Sequence, residues 1–187
     1  MAAPAVHFVK GPIDYILRRV AVYLGVKEAL FPHLIAQGAR ADGWLAVEAF
    51  NALRQPYIAS QYFQDVRLTG ATQGGSPDDP DLELTAQGQP LRLQIRSVPL
   101  TAQRPLAYYF TTPTELPRRF RFLHAHPSTS ALLLVAYPLR MDNPDWENAV
   151  KEAEQAHQVR RLDQVQFILP GPDRVTVSVW RHVSAGF

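Results

Sequence analysis

The chain has 187 residues with no cysteine, a formal net charge of +2 and a hydrophobic fraction of 47%. This length is enough for one domain with a substantial core, and the lack of cysteine excludes disulfides and thiolate metal sites. Because no stretch approaches eighteen uninterrupted apolar residues, and no basic region precedes an apolar run near the N-terminus, we expect a soluble cytoplasmic protein with no membrane partner.

Positive charge is carried almost entirely by arginine, since Lys10, Lys27 and Lys151 are the only lysines. Arginine binds phosphate through two parallel hydrogen bonds, so the bias slightly favours a nucleic-acid partner. High-GC coding enriches arginine, alanine and proline together and explains the bias equally well.

Helical patterns begin the chain. From 12 to about 37, apolar residues recur at spacings of three and four, with Gly25 and Pro32 as candidate breaks. A second helix is predicted from Ala41 to Arg54, with Asp42 as its N-cap and Glu48 close to its apolar face. We therefore expect residues 1–40 to form a helical extension that packs on an α/β domain spanning 41–187.

A hairpin of two alternating strands, 81–85 and 91–96, is the most informative feature of the sequence. In both strands apolar residues occupy one face and polar residues the other. The intervening turn contains glycine and proline, so the hairpin is expected to bring Asp81 near Gln94 and Arg96.

Other elements surround the hairpin. A strand is predicted at 61–68 and an exposed loop at 70–80, ahead of the hairpin. After it the patterns predict a helix, a strand buried on both faces, a helix and two further strands, at 114–124, 131–137, 144–159, 164–169 and 175–183.

This arrangement resembles the core of the PD-(D/E)XK nuclease superfamily, in which an aspartate lies at one strand and a Glu-x-Lys pair lies on the next. Asp81 matches the aspartate, whereas Gln94 and Arg96 stand where the family has glutamate and lysine. The order of helices and strands agrees from about residue 41 to 170. The resemblance implies a restriction-endonuclease-like α/β core, with a mixed central sheet flanked by helices and an N-terminal helical extension.

The resemblance also implies a magnesium-dependent phosphodiester hydrolase, an endonuclease, whose catalytic residues are Asp81, Gln94, Arg96 and Glu48. Mg²⁺ would be held by Asp81, the amide oxygen of Gln94 and the backbone carbonyl of Ile95, because this ion prefers oxygen ligands. Glutamine in place of glutamate removes one negative charge beside the ion. Arg96 stays protonated and cannot act as a general base, although it can hold a phosphate oxygen.

A purely structural interpretation of the same residues is equally compatible with the sequence. Asp81 and Arg96 would then form a cross-strand ion pair on an exposed face of the sheet, an arrangement that contributes little energy.

A second candidate site is the segment 117–122, which combines two phenylalanines with Arg118, Arg119 and Arg121. On a helix these arginines would form a face able to contact the phosphate backbone of nucleic acid, DNA in particular. An ordinary amphipathic helix, with apolar residues on the sheet and solvated arginines, explains the pattern too and is the favoured interpretation.

His124 and His126 form a His-x-His pair. Two such histidines could share a metal on a strand, but this pair follows a predicted helix and has no obvious carboxylate partner nearby in the sequence. We therefore do not expect a metal there.

Two classes of function remain open from the sequence. The first is a DNA endonuclease with a nonstandard metal site. The second is a degenerate nuclease fold that binds nucleic acid, or that serves as an assembly or protein-interaction subunit of a larger complex or homo-oligomer. Because Gln94 and Arg96 both depart from the family pattern, the second class is favoured.

Overall fold

The structure, a computed structural model, describes residues 11–55, 62–69 and 78–184. Its helices are α1 (Pro12–Gly25), α2 (Phe31–Gln37), α3 (Asp42–Arg54), α4 (Leu106–Thr111), α5 (Leu116–Ala125) and α6 (Pro144–His157), with a 3₁₀ turn at Glu28–Leu30. Its strands are β1 (Phe63–Leu68), β2 (Leu82–Ala86), β3 (Gln89–Pro99), β4 (Ser130–Tyr137), β5 (Val159–Ile168) and β6 (Arg174–His182). Residues 1–10 of the predicted extension, Gln61 and most of the predicted loop at 70–80 lie outside the described residues.

The six strands form one mixed sheet in the order β1-β2-β3-β4-β6-β5. Every neighbouring pair is antiparallel except β3 and β4, which are parallel. Helices flank the sheet, so the predicted α/β class with a mixed central sheet is confirmed. The three segments expected to share this sheet, around 81–85, 91–97 and 131–137, contribute the adjacent strands β2, β3 and β4.

The hairpin of β2 and β3 closes through a two-residue turn at Gln87 and Gly88. Both residues have positive φ, 51° and 78°, as a type I′ turn requires. Ala86 then pairs with Gln89, and Leu82 pairs with Leu93. This register places Asp81, just before β2, beside the middle of β3.

Two layers of helices cover the two faces of the sheet, so that successive side chains of a strand point alternately into one layer and the other. Helices α1, α2 and α3 share one apolar core with Leu93 and Ile95 of β3. The other core contains residues of α4, α5 and α6 together with Val98 of β3. Because side chains alternate along a strand, the polar residues of β3, Gln94 and Arg96, lie on the face covered by α5.

Two predicted boundaries were wrong. The helix predicted at 144–159 ends at His157, because Gln158 adopts a left-handed conformation with φ of 48°. The strand predicted at 164–169 therefore begins earlier and runs from Val159 to Ile168, pairing with β6 along its length. Helix α4 (Leu106–Thr111) was not predicted, since its six residues are too few to show a helical period.

No helix within the described ranges is long and apolar enough to cross a bilayer.

Candidate functional site

Asp81 is the centre of the candidate site. Its side chain is buried, and its Oδ2 accepts hydrogen bonds from the backbone N–H of Ile95 and from Nη1 of Arg96, each at 2.6 Å. The hairpin thus brings Asp81 and Arg96 together, as its register predicts. The pair does not lie on an exposed face as the structural interpretation supposed, because the two side chains are only 6% and 8% exposed.

Arg96 makes a second contact that defines the chemistry of this site. The same Nη1 that binds Asp81 donates to the backbone carbonyl of Ile95 at 2.5 Å. Asp81 and the Ile95 carbonyl are two of the three oxygen ligands that the nuclease resemblance assigns to Mg²⁺. A guanidinium group therefore occupies the place between these ligands, and a divalent cation there would have to displace it. As arranged, this donor set does not fit Mg²⁺, because its one carboxylate is already neutralised by an internal cation.

Gln94 is fully buried and helps to position the segment before β2. Its amide Nε2 donates to the backbone carbonyl of Asp79 at 2.9 Å, which ties that segment to β3. The side chain of Gln94 is thus engaged with protein backbone two residues from Asp81.

Glu48 is the predicted catalytic residue that the structure places apart from the others. It lies on α3, which packs against the opposite face of the sheet from Arg96, and its buried carboxylate forms an ion pair at 2.8 Å with the half-exposed Lys27. An inward glutamate in a helix is therefore present, but its charge is balanced by a lysine of the N-terminal region.

Asp42 has a role that the sequence did not indicate. It was predicted to be the N-cap of α3, and this was wrong, because Asp42 is the first helical residue and its side chain makes no cap hydrogen bond. Its Oδ1 instead accepts hydrogen bonds from the N–H and hydroxyl of Ser97, at 2.6 and 2.5 Å. The Ser97 hydroxyl also accepts from the N–H of Ala41. These contacts fasten the start of α3 to the end of β3.

Arg119 of α5 belongs to an inner group of four charges with Asp42, Asp81 and Arg96, of which Asp81 and Arg96 are buried and the other two half-buried. Burial and the neighbouring Arg96 lower the pKa of Arg119 to about 10, while Asp42 and Asp81 act in the opposite direction. Burial raises the pKa of the Asp81 carboxyl, against the effects of Arg96 and the Ile95 N–H. Two carboxylates and two guanidinium groups leave this interior group without net charge to offer a metal.

The outer face of α5 presents the other predicted arginines. Leu116, Phe120 and Leu123 are buried, so the amphipathic packing of the helix is confirmed. Arg118 forms two parallel hydrogen bonds with Asp78, each of 2.9 Å. Asp78 has a lowered pKa, first because of Arg118 and further because of the charges of Arg119 and Arg121.

A cleft of about 470 Å³ lies along this face of α5. Asp78 and Thr114 line it together with Arg118, Arg121 and His126. The arginine Arg92 of β3 adjoins it, since its Nη1 lies 3.2 Å from Nδ1 of His126. The cleft is therefore bordered by several cationic side chains and one carboxylate.

The His-x-His pair is split between two environments. The ring of His124 contacts the His157 carbonyl at 2.7 Å and the ring of His182 at a centroid distance of 4.6 Å. His126 lies instead against Arg92 and Phe122. Within residues 11–55, 62–69 and 78–184, no three histidine or acidic side chains are grouped as metal ligands.

Sequence reasoning missed Asp78 and Ser97. Asp78 was placed in an exposed loop, and nothing local connects it to an arginine forty positions away. Ser97 follows Arg96 directly, but its partner Asp42 is separated from it by 55 positions. Neither contact leaves a periodic signal in the sequence.

Comparisons of the chain with protein-family models, with curated proteins and with solved structures find no match.

Replacing Asp81 by asparagine is expected to lower the free energy of unfolding by about 3–5 kcal/mol, because Arg96 is left buried without a carboxylate. The double change Asp81→Leu with Arg96→Met should recover most of this loss, since both charges are removed together. Urea unfolding monitored by circular dichroism measures both. The control Asp142→Asn breaks an exposed ion pair with Arg140 and should have little effect. An Asp81→Asn variant as stable as the control would contradict the structural role of the pair.

Two histidines, His157 at the end of α6 and His182 at the end of β6, predict a fall in stability on acidification. Burial lowers the pKa of His157 and His182 below the ordinary 6.5, and the facing charge of His124 adds to this effect; Arg121 also acts on His157. Folding favours the neutral forms of both histidines. Their contribution to the free energy of unfolding is therefore fully present above pH 6.5 and is lost as the pH falls below it.

Urea unfolding across this pH range tests the effect. The double variant His157→Gln, His182→Gln should lose stability less steeply than the native chain, whereas His33→Gln, an exposed change on α2, should follow the native slope. Equal slopes for the native chain and the double variant would show that these histidines do not couple to folding.

Proposed function

We propose that the chain is a nuclease-like protein that binds nucleic acid, DNA in particular, through the outer face of α5 and does not cleave it. The observation that carries the proposal is the position of the Arg96 guanidinium between Asp81 and the Ile95 carbonyl. The order of elements supports the family resemblance on which the proposal rests, since α3 is followed by three strands, helices and then β4.

Loss of catalysis follows from the chemistry of these groups. Hydrolysis of a phosphodiester needs an activated water and a cation that neutralises charge on the transferring group. Arg96 can supply positive charge, but its guanidinium remains protonated and accepts no proton from water. Asp81 is the nearest carboxylate, and it is held in hydrogen bonds to Arg96 and the Ile95 N–H.

Binding to nucleic acid is supported by the cationic side chains around the α5 cleft. Arg118 and Arg121 line it, and Arg92 adjoins it through His126. Guanidinium groups held on a helix and an adjacent strand can bind successive phosphates without reading base sequence. Because Asp78 offsets part of this charge, the expected binding is moderate and sensitive to salt.

A protein-interaction subunit is the second candidate, and one surface feature favours it. Val22 and Val26 near the end of α1 and Leu30 in the following turn are 61%, 82% and 48% exposed. Val22 and Val26, four residues apart, lie on one side of the end of α1 and form a small apolar patch, and such patches occur at protein interfaces. The patch lies on elements of the opposite helical layer from α5, so the two functions do not exclude each other.

Removing the arginines of α5 tests the binding function. The variant Arg118→Ala, Arg121→Ala removes the two arginines that line the cleft and leaves the more deeply buried Arg119 in place. It should bind a fluorescein-labelled DNA duplex more weakly, to a similar degree for unrelated sequences. Its plot of log affinity against log salt should be flatter by about one to two units, because each neutralised phosphate contributes about 0.9.

A control variant with the same loss of charge makes this test specific. Replacing Arg54 and Arg140 by alanine also removes two positive charges, from exposed positions on α3 and in the loop after β4. Its affinity and salt slope should stay near those of the native chain. If both variants behave alike, or if the α5 variant binds as the native chain does, the proposed interface is wrong.

Restoring the family residues tests the proposed loss of catalysis. The native chain should not cleave supercoiled DNA in Mg²⁺, whereas Gln94→Glu with Arg96→Lys should bind Mn²⁺ and introduce metal-dependent nicking. Adding Asp81→Ala should abolish the gain, because the carboxylate is then missing. Efficient cleavage by the native chain that persists after Asp81→Ala would place an active site elsewhere and contradict the proposal.

A further inference from the structure

Asp78 occupies the α5 cleft in the manner of a bound anion. Its two carboxylate oxygens each accept a hydrogen bond from Arg118, Oδ1 from Nε and Oδ2 from Nη2, both at 2.9 Å. Arg121 lines the same cleft as Asp78 and Arg118, and its charge and that of Arg119 also lower the pKa of the Asp78 carboxyl. Two arginines of one helix thus border the cleft that this single carboxylate enters.

The geometry of this contact is the one by which arginine binds phosphate. A guanidinium group presents parallel N–H donors that match two oxygens of a carboxylate or of a phosphodiester equally well. A phosphodiester group could therefore take the place of the Asp78 carboxylate on Arg118 without any change in the donor side chain. Arg121 lines the same cleft and can contact the incoming group.

Exposure makes this exchange feasible for Asp78 and not for Asp81. The side chain of Asp78 is 61% exposed and that of Arg118 is 31% exposed. The Asp81–Arg96 pair is almost fully buried and holds the hairpin together. An exposed ion pair contributes little to stability, so separating Asp78 from Arg118 costs little.

We propose that the α5 cleft binds a single phosphodiester group of nucleic acid between Arg118 and Arg121, and that Asp78 is an internal competitor which this group displaces. This inference rests on the proposed function, and it adds a residue of the chain that limits the affinity of the cleft. Asp78 lowers the intrinsic affinity of the cleft for any anion. A nucleic acid, whose other phosphates make further contacts, therefore stays bound, whereas a single small anion does not. Asp78 thereby limits binding to polyanions.

The test compares two aspartates that are matched in charge and contact. Asp142 forms the same type of exposed, two-bonded pair, with Arg140, as Asp78 forms with Arg118. Asp78→Asn and Asp142→Asn each raise the net charge by one. Binding of a labelled DNA duplex is measured for the native chain and both variants across a range of salt concentrations.

Asp78→Asn should tighten DNA binding by roughly two- to fivefold at low salt, the scale of one exposed ion pair. The salt slope should steepen by up to about one unit, since in the native chain the displaced Asp78 carboxylate takes up a counterion when the phosphate binds, and in the variant it does not. Asp142→Asn should leave both quantities near their native values. In an Arg118→Gln background, Asp78→Asn should lose most of its effect, because the arginine it releases is missing.

The outcomes separate this inference from the proposed function. If binding depends on the α5 arginines but Asp78→Asn changes affinity no more than Asp142→Asn, the competitor role is wrong and the binding function stands. A gain from Asp78→Asn that persists unchanged in the Arg118→Gln background also overturns it. If neither the native chain nor Asp78→Asn binds DNA at low salt, the proposed function and this inference both fail.

Discussion

The buried ion pair between Asp81 and Arg96 is the constraint around which the rest of the site is arranged. It joins the start of β2 to the middle of β3, and the Ile95 N–H shares the same carboxylate oxygen. Charges removed from water in this way are tolerated when each finds partners, and are costly when one partner is lost. The charge of Arg119 interacts with this pair, and Asp42 ties α3 to Ser97, the residue that follows Arg96 in β3. The hairpin and the two helical layers therefore meet at one set of mutually dependent charges.

Charge in this region is divided between an inner and an outer group. In the inner group the Asp81–Arg96 ion pair is buried and Asp42 and Arg119 are half-buried, which suits a structural role. The outer group, Asp78 with Arg118 and Arg121, is exposed and borders an open cleft. Exchange of partners is possible in the outer group, because water and salt already compete for its ion pair. The two groups thus differ in exposure, which separates the residues that hold the hairpin from those that border the cleft.

How much of this could be predicted depends on how far apart the interacting residues are in the chain. The contact of Asp81 with Arg96 was predictable, because alternation and a short turn set the register of the hairpin over sixteen residues. Its burial was not, since it depends on α5 covering that face of β3. The Asp78–Arg118 pair and the Asp42–Ser97 contact span 40 and 55 positions and depend on the assembled sheet. Glu48 shows the same limit, because helix periodicity places it near an apolar face but does not specify Lys27 as its partner.

The central claim is that the Arg96 guanidinium, and not a metal ion, lies between Asp81 and the Ile95 carbonyl. Crystals of the native chain soaked in Mn²⁺, with diffraction data collected at the manganese absorption edge, test it most directly. We expect density for the Arg96 guanidinium in hydrogen-bonding contact with both oxygens and no anomalous peak beside Asp81. An anomalous peak at coordination distance from the Asp81 carboxylate, with Arg96 turned away from it, would contradict this account.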